Sequence, residues 1–195
     1  MEGGQSPATR QCILEAAQRL FASRGYHGAS IRDIVHACGV SNAALYYHFG
    51  SKQNLYFEVL GEYIAAVVGQ LQMADTGEGT CRSRLARVAL TYAQIILESQ
   101  SVLQTLLRDV AQLDQEEIAR LLPDVHRQIP EAFAAILEEG IAAGELREVH
   151  RRRVGNLLMG MVNAMAVRRL HAQAETTLEE DANLVIEVLF EGIGI

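Results

Sequence analysis

The chain has no tryptophan, only three prolines and only three cysteines among its 195 residues. The cysteines, Cys12, Cys38 and Cys81, are odd in number and lack the spacing of a metal site. That pattern disfavours both a disulfide framework and a cysteine-based zinc site. Because Cys12 and Cys38 fall on apolar helix faces, we interpret them as small buried hydrophobic residues. Such cysteine usage fits a reducing compartment, and we expect a cytoplasmic protein.

Long apolar runs and alternating strand patterns are also missing. No apolar stretch reaches the roughly 18 residues that a membrane-spanning helix needs. The polar N-terminus lacks the apolar segment of a signal peptide. Alanine, leucine, glutamate and arginine are abundant, and all four favour helices. The sequence therefore predicts an all-α protein of about nine helices.

Charge is unevenly distributed along the chain. The net charge is −7, which disfavours non-specific nucleic-acid binding by the whole chain. Residues 1–60, however, carry five basic and four acidic side chains, so the excess of acidic groups lies in the remainder. A nearly neutral N-terminal region joined to an acidic body suggests two regions with separate tasks.

Three short helices are predicted in the first 50 residues. The first spans Thr9–Ser23 and ends before Gly25. Ser30 is a good N-cap for the second helix, which Gly39 ends, and Ser41 caps the third. Two short capped helices joined by a brief glycine-containing turn are typical of a helix-turn-helix.

Longer helices are predicted in the rest of the chain. The fourth covers residues 52–73, and a breaker-rich link at 74–80 follows it. Further helices are predicted at about 80–99, 101–113, 116–143, 151–172 and 177–190 from their apolar periodicity. Pro123 and Pro130 interrupt one of these patterns, and the sequence leaves open whether they kink or break the helix.

Residues 25–60 carry a specific set of motifs: Gly25-Tyr26, Ser30, Cys38-Gly39-Val40-Ser41, Leu45-Tyr46-Tyr47-His48-Phe49 and Ser51-Lys52. This segment resembles the DNA-binding head of the tetracycline-repressor (TetR) family. Residues 140–165 resemble the entry into that family's dimer-forming helix.

The resemblance implies a helix-turn-helix DNA-binding domain at 9–54 and a ligand-binding and dimerisation domain at 55–195, with the helix at 51–73 linking them. It implies a homodimeric repressor that a small molecule releases from a palindromic operator. It implies neither a cofactor nor a metal.

The predicted DNA contacts lie in and beside the third helix. Ser41, as its N-cap, would leave outward-facing N–H groups that attract phosphate. Asn42 can bridge the edge of adenine, and Ala43 can touch a thymine methyl group. The resemblance assigns base or phosphate contacts to Arg32, Asn42, Ala43, Ala44, Tyr46, Tyr47, His48 and Lys52.

Each of these residues also has a structural interpretation. Tyr46 could be a core aromatic with a satisfied hydroxyl, and His48 could be a packing group. Arg32 could pair with a nearby carboxylate. Lys52 could be a solvated first-turn residue, although a cation at a helix start is unfavourable without an anionic partner. The basic run at 151–153 is interpreted as a solvated face.

The resemblance implies a small-molecule pocket and a dimer interface in the acidic body. Residues that combine apolar lining with polar groups are candidates for the pocket: Tyr92, Gln94, Gln104, Arg108, His126, Phe133, Met159 and Asn163. The last two helices carry more apolar surface than one chain needs, which makes them candidates for the interface: Val154, Leu157, Leu158, Met161, Val185 and Leu189. Gly155, Gly160 and Ala164 would permit close helix approach, either between chains or within one.

Two other classes of function are considered. A co-regulator of the same fold would bind a protein partner instead of DNA, and the weak positive charge of the N-terminal region is compatible with it. A small helical enzyme would need a catalytic constellation, and no Ser/His/Asp, Cys/His or metal-ligand set occurs at a recognisable spacing. The sequence therefore favours a DNA-binding regulator.

Overall fold

The computed structural model describes residues 6–99, 115–171 and 175–193. This part of the chain is all-helical, as predicted, and contains eight helices and no β-strand. We number them in chain order: α1 Pro7–Gly28, α2 Ile31–Cys38, α3 Asn42–Phe49, α4 Lys52–Ala74, α5 Cys81–Glu98, α6 Gln115–Ala142, α7 Arg151–His171 and α8 Leu178–Ile193. The helix predicted at 101–113 lies outside the described residues.

Hydroxyl side chains cap the starts of six of these helices, including Ser51 at α4 and Thr177 at α8. The Oγ atoms of Ser6, Ser30 and Ser41 accept backbone N–H groups at the starts of α1, α2 and α3. Thr80 does the same for α5. The caps at Ser30 and Ser41 are the ones predicted from the sequence, whereas α1 begins earlier than the predicted Thr9 because Ser6 caps it.

Two glycines interrupt or follow a helix in this structure, whereas two prolines lie within a continuous one. Gly25 leaves the helical conformation inside α1, with φ 74° and ψ 175°, and helical turns resume up to Gly28. Gly144, with φ 74°, follows the end of α6 as predicted. Pro123 and Pro130 both lie within α6, which continues through them without a break.

The chain divides into two compact units. The first contains residues 6–63 and the beginning of α6 at 115–125; the second contains 64–99 and 126–193. The first unit therefore extends past the domain boundary expected after residue 54. Helix α4 runs from the first unit into the second.

Each unit has its own apolar core. In the first, α1, α2 and α3 pack against one another around buried side chains that include Ile13, Ala17, Phe21, Ile34, Leu45 and Phe49. In the second, α5 packs against α7 and α8, and the core includes Leu85, Ala89, Phe133, Leu137, Leu158 and Val162. The first core fixes the orientation of α3, and the second fixes that of α7 and α8.

The cysteines are less uniformly buried than predicted. Cys12 and Cys38 are half-buried, and only Cys81 is fully buried. Burial, reinforced by a hydrogen bond with Cys12, raises the pKa of Cys38 to about 12. Burial also raises the pKa of Cys81 to about 11. All three are free thiols.

A buried arginine ties together α4, α5 and α6 in the second unit. The Arg84 guanidinium is only 11% exposed and donates two hydrogen bonds of 2.7 Å to the Asp75 carboxylate. Its third nitrogen lies 2.5 Å from Glu139. These hydrogen bonds hold the pKa of Asp75 below its usual value. Nearby, Glu145 accepts the backbone N–H of Cys81 at 2.8 Å and so satisfies a donor at the start of α5.

A second charged cluster joins α7 to α8. Asp181 is 5% exposed and accepts hydrogen bonds from the Thr176 hydroxyl at 2.7 Å and from Arg169 at 2.5 Å. Arg168 lies 3.4 Å from the same carboxylate. The Thr176 hydroxyl, followed by the two arginines, lowers the pKa of Asp181.

Across the described ranges, none of the helices combines the length and apolarity that crossing a membrane requires.

Candidate nucleic-acid interface

A capping box fixes the start of α2. Ser30 Oγ accepts the backbone N–H of Asp33 at 3.1 Å, and Asp33 Oδ2 accepts the backbone N–H of Ser30 at 3.3 Å. The Ser30 hydroxyl also donates to Asp33 Oδ2 at 2.8 Å, and this bond, followed by the one from the Ser30 backbone N–H, is the main reason that the pKa of Asp33 is lowered. Asp33 also lies 3.6 Å from Arg24, on the preceding helix. Arg32 is exposed and has no carboxylate partner among the residues that the structure describes.

The turn between α2 and α3 depends on one left-handed residue. Gly39 has φ 66° and ψ 29°, and its N–H together with that of Val40 closes the end of α2. Ser41 follows as the exposed N-cap of α3 and accepts the Ala44 N–H at 3.3 Å. The two helices are therefore joined by the short capped turn predicted from the sequence.

Helix α3 has one face in the core and one in solvent. Leu45 and Phe49, four residues apart, are 0% and 4% exposed. On the other face Asn42 and Ala43 are exposed, as are Tyr46 and Tyr47, at 49% and 62%. A tyrosine that is about half exposed is not a core residue, so the interpretation of Tyr46 as a core aromatic side chain is wrong.

Ala44 differs from the placement that the resemblance implied. Its side chain is 5% exposed and lies with Leu45 in the core. Ala44 lies at the border between the inner and outer faces, where its small side chain is covered by neighbouring residues. Its methyl group is therefore withheld from a DNA base, although its small size allows α3 to pack closely on its neighbours.

His48 and Lys52 lie at the far end of the same surface. His48 is half-buried, and its ring meets the ring of Tyr47 edge-on at 5.1 Å. Lys52 is the first residue of α4, whose first turn contains no acidic residue. Its ammonium group lies 4.3 Å from the centre of the Tyr26 ring. In the sequence Tyr26 belongs only to a turn motif, and no pattern there predicts its contact with Lys52.

We call the exposed side chains of Arg32, Asn42, Ala43, Tyr46 and Tyr47, together with His48 and Lys52, the recognition surface. It combines a helix N-terminus, an amide, two phenols and cationic side chains. These groups donate hydrogen bonds to phosphate oxygens and to base edges. Its chemistry suits nucleic acid.

Some of the predicted pocket residues come together in the second unit. Tyr92 on α5 donates its hydroxyl hydrogen to Asn163 Oδ1 on α7 at 3.1 Å. The ring of Tyr92 meets that of Phe133 on α6 at 6.0 Å. Met159 is half-buried, whereas Gln94 is exposed and lies outside this cluster. Gln104, Arg108 and the side chain of His126 lie outside the described residues.

The second unit also contains a groove that the sequence does not predict, and one of its lining residues, Val88, lies one helical turn before Tyr92 on α5. The groove has a volume of about 360 Å³ and is lined by parts of α4, α5 and α6. Its walls are mostly apolar, with Leu71, Val88 and Ile136 among them, and Gln72, Gln128 and Glu131 add polar groups. None of the predicted pocket residues whose side chains the structure describes lines it, because periodicity identifies apolar faces and cannot show where two such faces fail to meet.

The residues predicted for the dimer interface differ in how far they are buried within the single chain. Val154, Leu158 and Val185 are buried within the chain's own second unit, at 9%, 0% and 8% exposure, so they are intrachain core residues rather than interface residues. Leu157 is 65% exposed. Met161 and Leu189 are half-buried.

The small residues of α7 also differ in burial: one packs within the chain, and two are exposed. A Cβ atom at Gly155 would come within 2.6 Å of the Pro130 carbonyl oxygen, so this glycine serves close packing between α7 and α6. Gly160 has nothing within 4 Å and is exposed, as is Ala164. On α8, Leu184 and Val188 are 56% and 51% exposed. The i, i+4 spacing of these two residues marks a second apolar stripe on α8, beyond the interface residues predicted from the sequence.

Within the described ranges, no cluster of three or more His, Cys, Asp or Glu side chains is arranged to hold a metal ion.

Comparison with known proteins covers both parts of the chain. Residues 13–59 match the family model "Bacterial regulatory proteins, tetR family", and residues 78–167 match "Tetracyclin repressor-like, C-terminal domain". The HTH-type transcriptional repressor KstR2 of Rhodococcus jostii is 24% identical over 93% of this chain and 89% of its own length. The HTH-type transcriptional repressor AcnR of Corynebacterium glutamicum is 43% identical over 80 residues, which are 40% of this chain and 43% of the repressor.

Solved structures share the fold. The transcriptional regulator FadR from Bacillus subtilis, solved in complex with stearoyl-CoA, superposes with a TM-score of 0.75 at 20% identity. The match covers 93% of this chain and 98% of that one.

Proposed function

This chain belongs to the TetR family of bacterial regulatory proteins, and we propose that it represses transcription by binding a palindromic operator as a homodimer and releasing it when a small molecule binds the C-terminal region. The observation that carries the proposal is the exposure of the outer face of α3, above all Tyr46 and Tyr47, on a helix held by Leu45 and Phe49.

The recognition surface supports contact with the major groove of DNA. Both Asn42 and Ala43 lie in the first turn of α3. The amide of Asn42 can form hydrogen bonds with a base edge, and the small side chain of Ala43 permits close approach of the helix. Arg32, near the start of α2, is exposed and can reach a guanine or a phosphate. We assign base reading to these three residues.

The remaining groups of the surface suit phosphate oxygens. The hydroxyls of Tyr46 and Tyr47 donate hydrogen bonds, and Lys52 supplies a positive charge at a helix N-terminus, where an anion is favoured. His48 lies beside Tyr47. Contacts of this kind set the register of a protein on DNA without reading its sequence.

Homodimerisation would use the exposed apolar stripes of α7 and α8. Leu157, Leu184 and Val188 are more than half exposed in a single chain. Gly160 and Ala164 leave room on α7 for a partner helix to approach closely. A two-fold dimer would present two copies of α3 about 34–36 Å apart, which matches successive major grooves.

We propose that the effector binds in the second unit, beside Tyr92, Phe133 and Asn163, and extends into the groove lined by Leu71. A ligand changes the DNA affinity only through its different affinity for two conformations. Helix α4 carries Lys52 at its first turn and Leu71 near its end, so one helix would contain both a DNA contact and a ligand contact. A ligand that moves the end of α4 would thereby alter the spacing of the recognition helices.

Members of this family are transcriptional regulators rather than enzymes, and we assign no catalytic step to this chain. Because its partner is genomic DNA, we place the protein in the cytoplasm.

The proposal is tested by recovering bound duplexes from a random library and measuring their affinity at several salt concentrations. Wild-type protein should show an affinity that falls steeply with salt, because each neutralised phosphate contributes a slope of about 0.9. Tyr47→Ala should weaken binding to all sequences, whereas Arg32→Ala should also relax the preference at one base position. Gln11→Ala, an exposed change on α1, should bind like wild type.

Failure of wild-type protein to enrich any duplex would refute the proposal, and capture of a protein partner by the same surface would favour the co-regulator instead. Wild-type affinity in both contact variants would show that the surface has been assigned to the wrong residues.

A further inference from the structure

Tyr26 lies beside the recognition surface without belonging to it. Its ring is half-buried at the end of α1 and lies 4.3 Å from the Lys52 ammonium group. At this distance, a cation above an aromatic face is attracted by the electron-rich ring. The Tyr26 ring therefore gives the Lys52 side chain a preferred position.

Two other aromatic side chains pack against the Tyr26 ring. Tyr56, which is 0% exposed, meets it at 5.1 Å with an interplanar angle of 69°. Phe21, 2% exposed, lies 6.2 Å away on the same helix. Phe21 and Tyr56 also contact each other edge-on at 5.0 Å. Because two buried rings fix Tyr26, the face that it turns to Lys52 is a rigid platform.

The backbone conformation of Gly25 allows Tyr26 to take this position. Its φ of 74° and ψ of 175° belong to a region of backbone conformation that is essentially restricted to glycine. The backbone leaves the α1 helix at that residue, so Tyr26 is not constrained to the face that helical continuation would have given it. The glycine and the aromatic residue after it therefore act together.

We propose that Tyr26 is a positioning residue for DNA binding: it holds the Lys52 ammonium at the start of α4, ready for a phosphate. This inference rests on the proposed function, because it assumes that the recognition surface binds DNA. A lysine side chain loses considerable rotamer freedom when it is immobilised on binding. A lysine already held by a ring in the free protein loses less, and its DNA complex is correspondingly tighter.

The test is a double-mutant cycle on operator affinity, with a duplex recovered from the random library as the probe. Tyr26→Leu removes the aromatic face, Tyr26→Phe keeps it, and Lys52→Ala removes the cation. With two copies per dimer, we expect Tyr26→Leu to weaken binding about tenfold. Tyr26→Phe should stay within about twofold of wild type, since the ring face is retained.

The coupling between the two positions separates positioning from a general structural role. In a Lys52→Ala background, Tyr26→Leu should change the affinity less than about twofold, because there is no cation left to hold. If Tyr26 only supports the packing of α1, Tyr26→Leu would weaken binding equally in both backgrounds. Binding is measured well below the melting temperature of each variant, so that loss of folded protein does not contribute.

Nuclear magnetic resonance of the free protein provides a second readout. The Lys52 side-chain protons next to the ammonium should be shifted upfield by the Tyr26 ring, retain that shift in Tyr26→Phe, and lose it in Tyr26→Leu. Additive effects in the cycle, equal damage from Tyr26→Phe and Tyr26→Leu, or an unshifted Lys52 would each overturn the inference while leaving operator binding intact. Absence of DNA binding by wild-type protein would instead defeat the proposed function, and this role with it.

Discussion

The two units of the chain hold their helices in different ways. In residues 6–63, short helices begin at serine caps and turn at glycines, and they pack around aromatic and aliphatic side chains. In residues 64–99 and 126–193, longer helices are also joined by buried arginine–carboxylate clusters centred on Arg84 and Asp181, whereas the ion pair of Arg24 and Asp33 in the first unit is largely exposed. The first unit exposes its functional side chains, whereas the second encloses the cluster that we assign to the effector. Substitutions should therefore alter DNA binding in the first unit and stability or assembly in the second.

The largest stability effect is expected in the second unit, at one of two adjacent leucines. Leu158 is 0% exposed, and Leu158→Ala should lower the free energy of unfolding by about 3 kcal/mol because it leaves a cavity. Leu157, 65% exposed, is the matched control for stability. Leu157→Ala should leave the stability of the monomer nearly unchanged and weaken the dimer. Chemical denaturation and analytical ultracentrifugation measure the two quantities, and equal destabilisation by both variants would contradict the assignment of inner and outer faces.

The next largest effect is expected at the Arg84 cluster. Arg84→Met should lower the free energy of unfolding by about 2–3 kcal/mol, because it leaves the Asp75 carboxylate, 19% exposed, without its bidentate partner. Arg153→Met, at an exposed position on α7, should change it by less than about 0.5 kcal/mol. Denaturation curves compare the stabilities of the two variants. A reduced operator affinity of fully folded Arg84→Met protein would contradict the view that the second unit governs stability and the first governs DNA binding.

A backbone effect is expected at Gly25 in the first unit. Gly25→Ala should lower the free energy of unfolding by about 1–2 kcal/mol, because a side chain is strained at φ 74°. Gly61→Ala is the opposite case: Gly61 lies inside α4 with nothing within 4 Å of the added Cβ, so alanine should stabilise the helix slightly. Thermal melts of both variants test this, and a neutral Gly25→Ala would show that its conformation is not required.

The smallest effect is a pH dependence in the second unit. The folded protein lowers the pKa of Asp181 relative to an unfolded value of about 3.9. Its contribution to stability is therefore present above that value and is lost as the pH falls through the lower folded pKa. Asp181→Asn should lower the stability at pH 7 by about 1 kcal/mol, and its difference from wild type should shrink below about pH 4. Melting temperatures from pH 7 to 3 measure it; a difference that grows in acid would contradict the assigned direction.

Local signals in the sequence predicted the first unit well. The caps at Ser30 and Ser41 and the turn at Gly39 all depend on residues within a few positions of one another. Such interactions are encoded in the nearby sequence, which is why they could be predicted. The placement of Ala44 failed because a small residue between the two faces of a short helix packs inward or outward at little cost.

Distant contacts account for what the sequence could not predict. Leu157 and Leu158 are consecutive, and only the packing of α7 against other helices determines which of them is buried. Arg84 and Glu139 are 55 positions apart, so no pattern in the sequence links them. The contact between Tyr26 and Lys52 likewise depends on the fold of α1 against α4.

The central claim, that the exposed face of α3 contacts DNA, is tested most directly by photocrosslinking. A photoreactive phenylalanine analogue is placed at Tyr47, 62% exposed in the first unit, or at Met73, 83% exposed at the end of α4 in the second. With a duplex selected by the wild-type protein, the probe at position 47 should crosslink at two sites about 10 base pairs apart, one for each subunit of the dimer, and the probe at 73 should not crosslink. Crosslinks from position 73 alone, or equal crosslinking from both, would contradict the account.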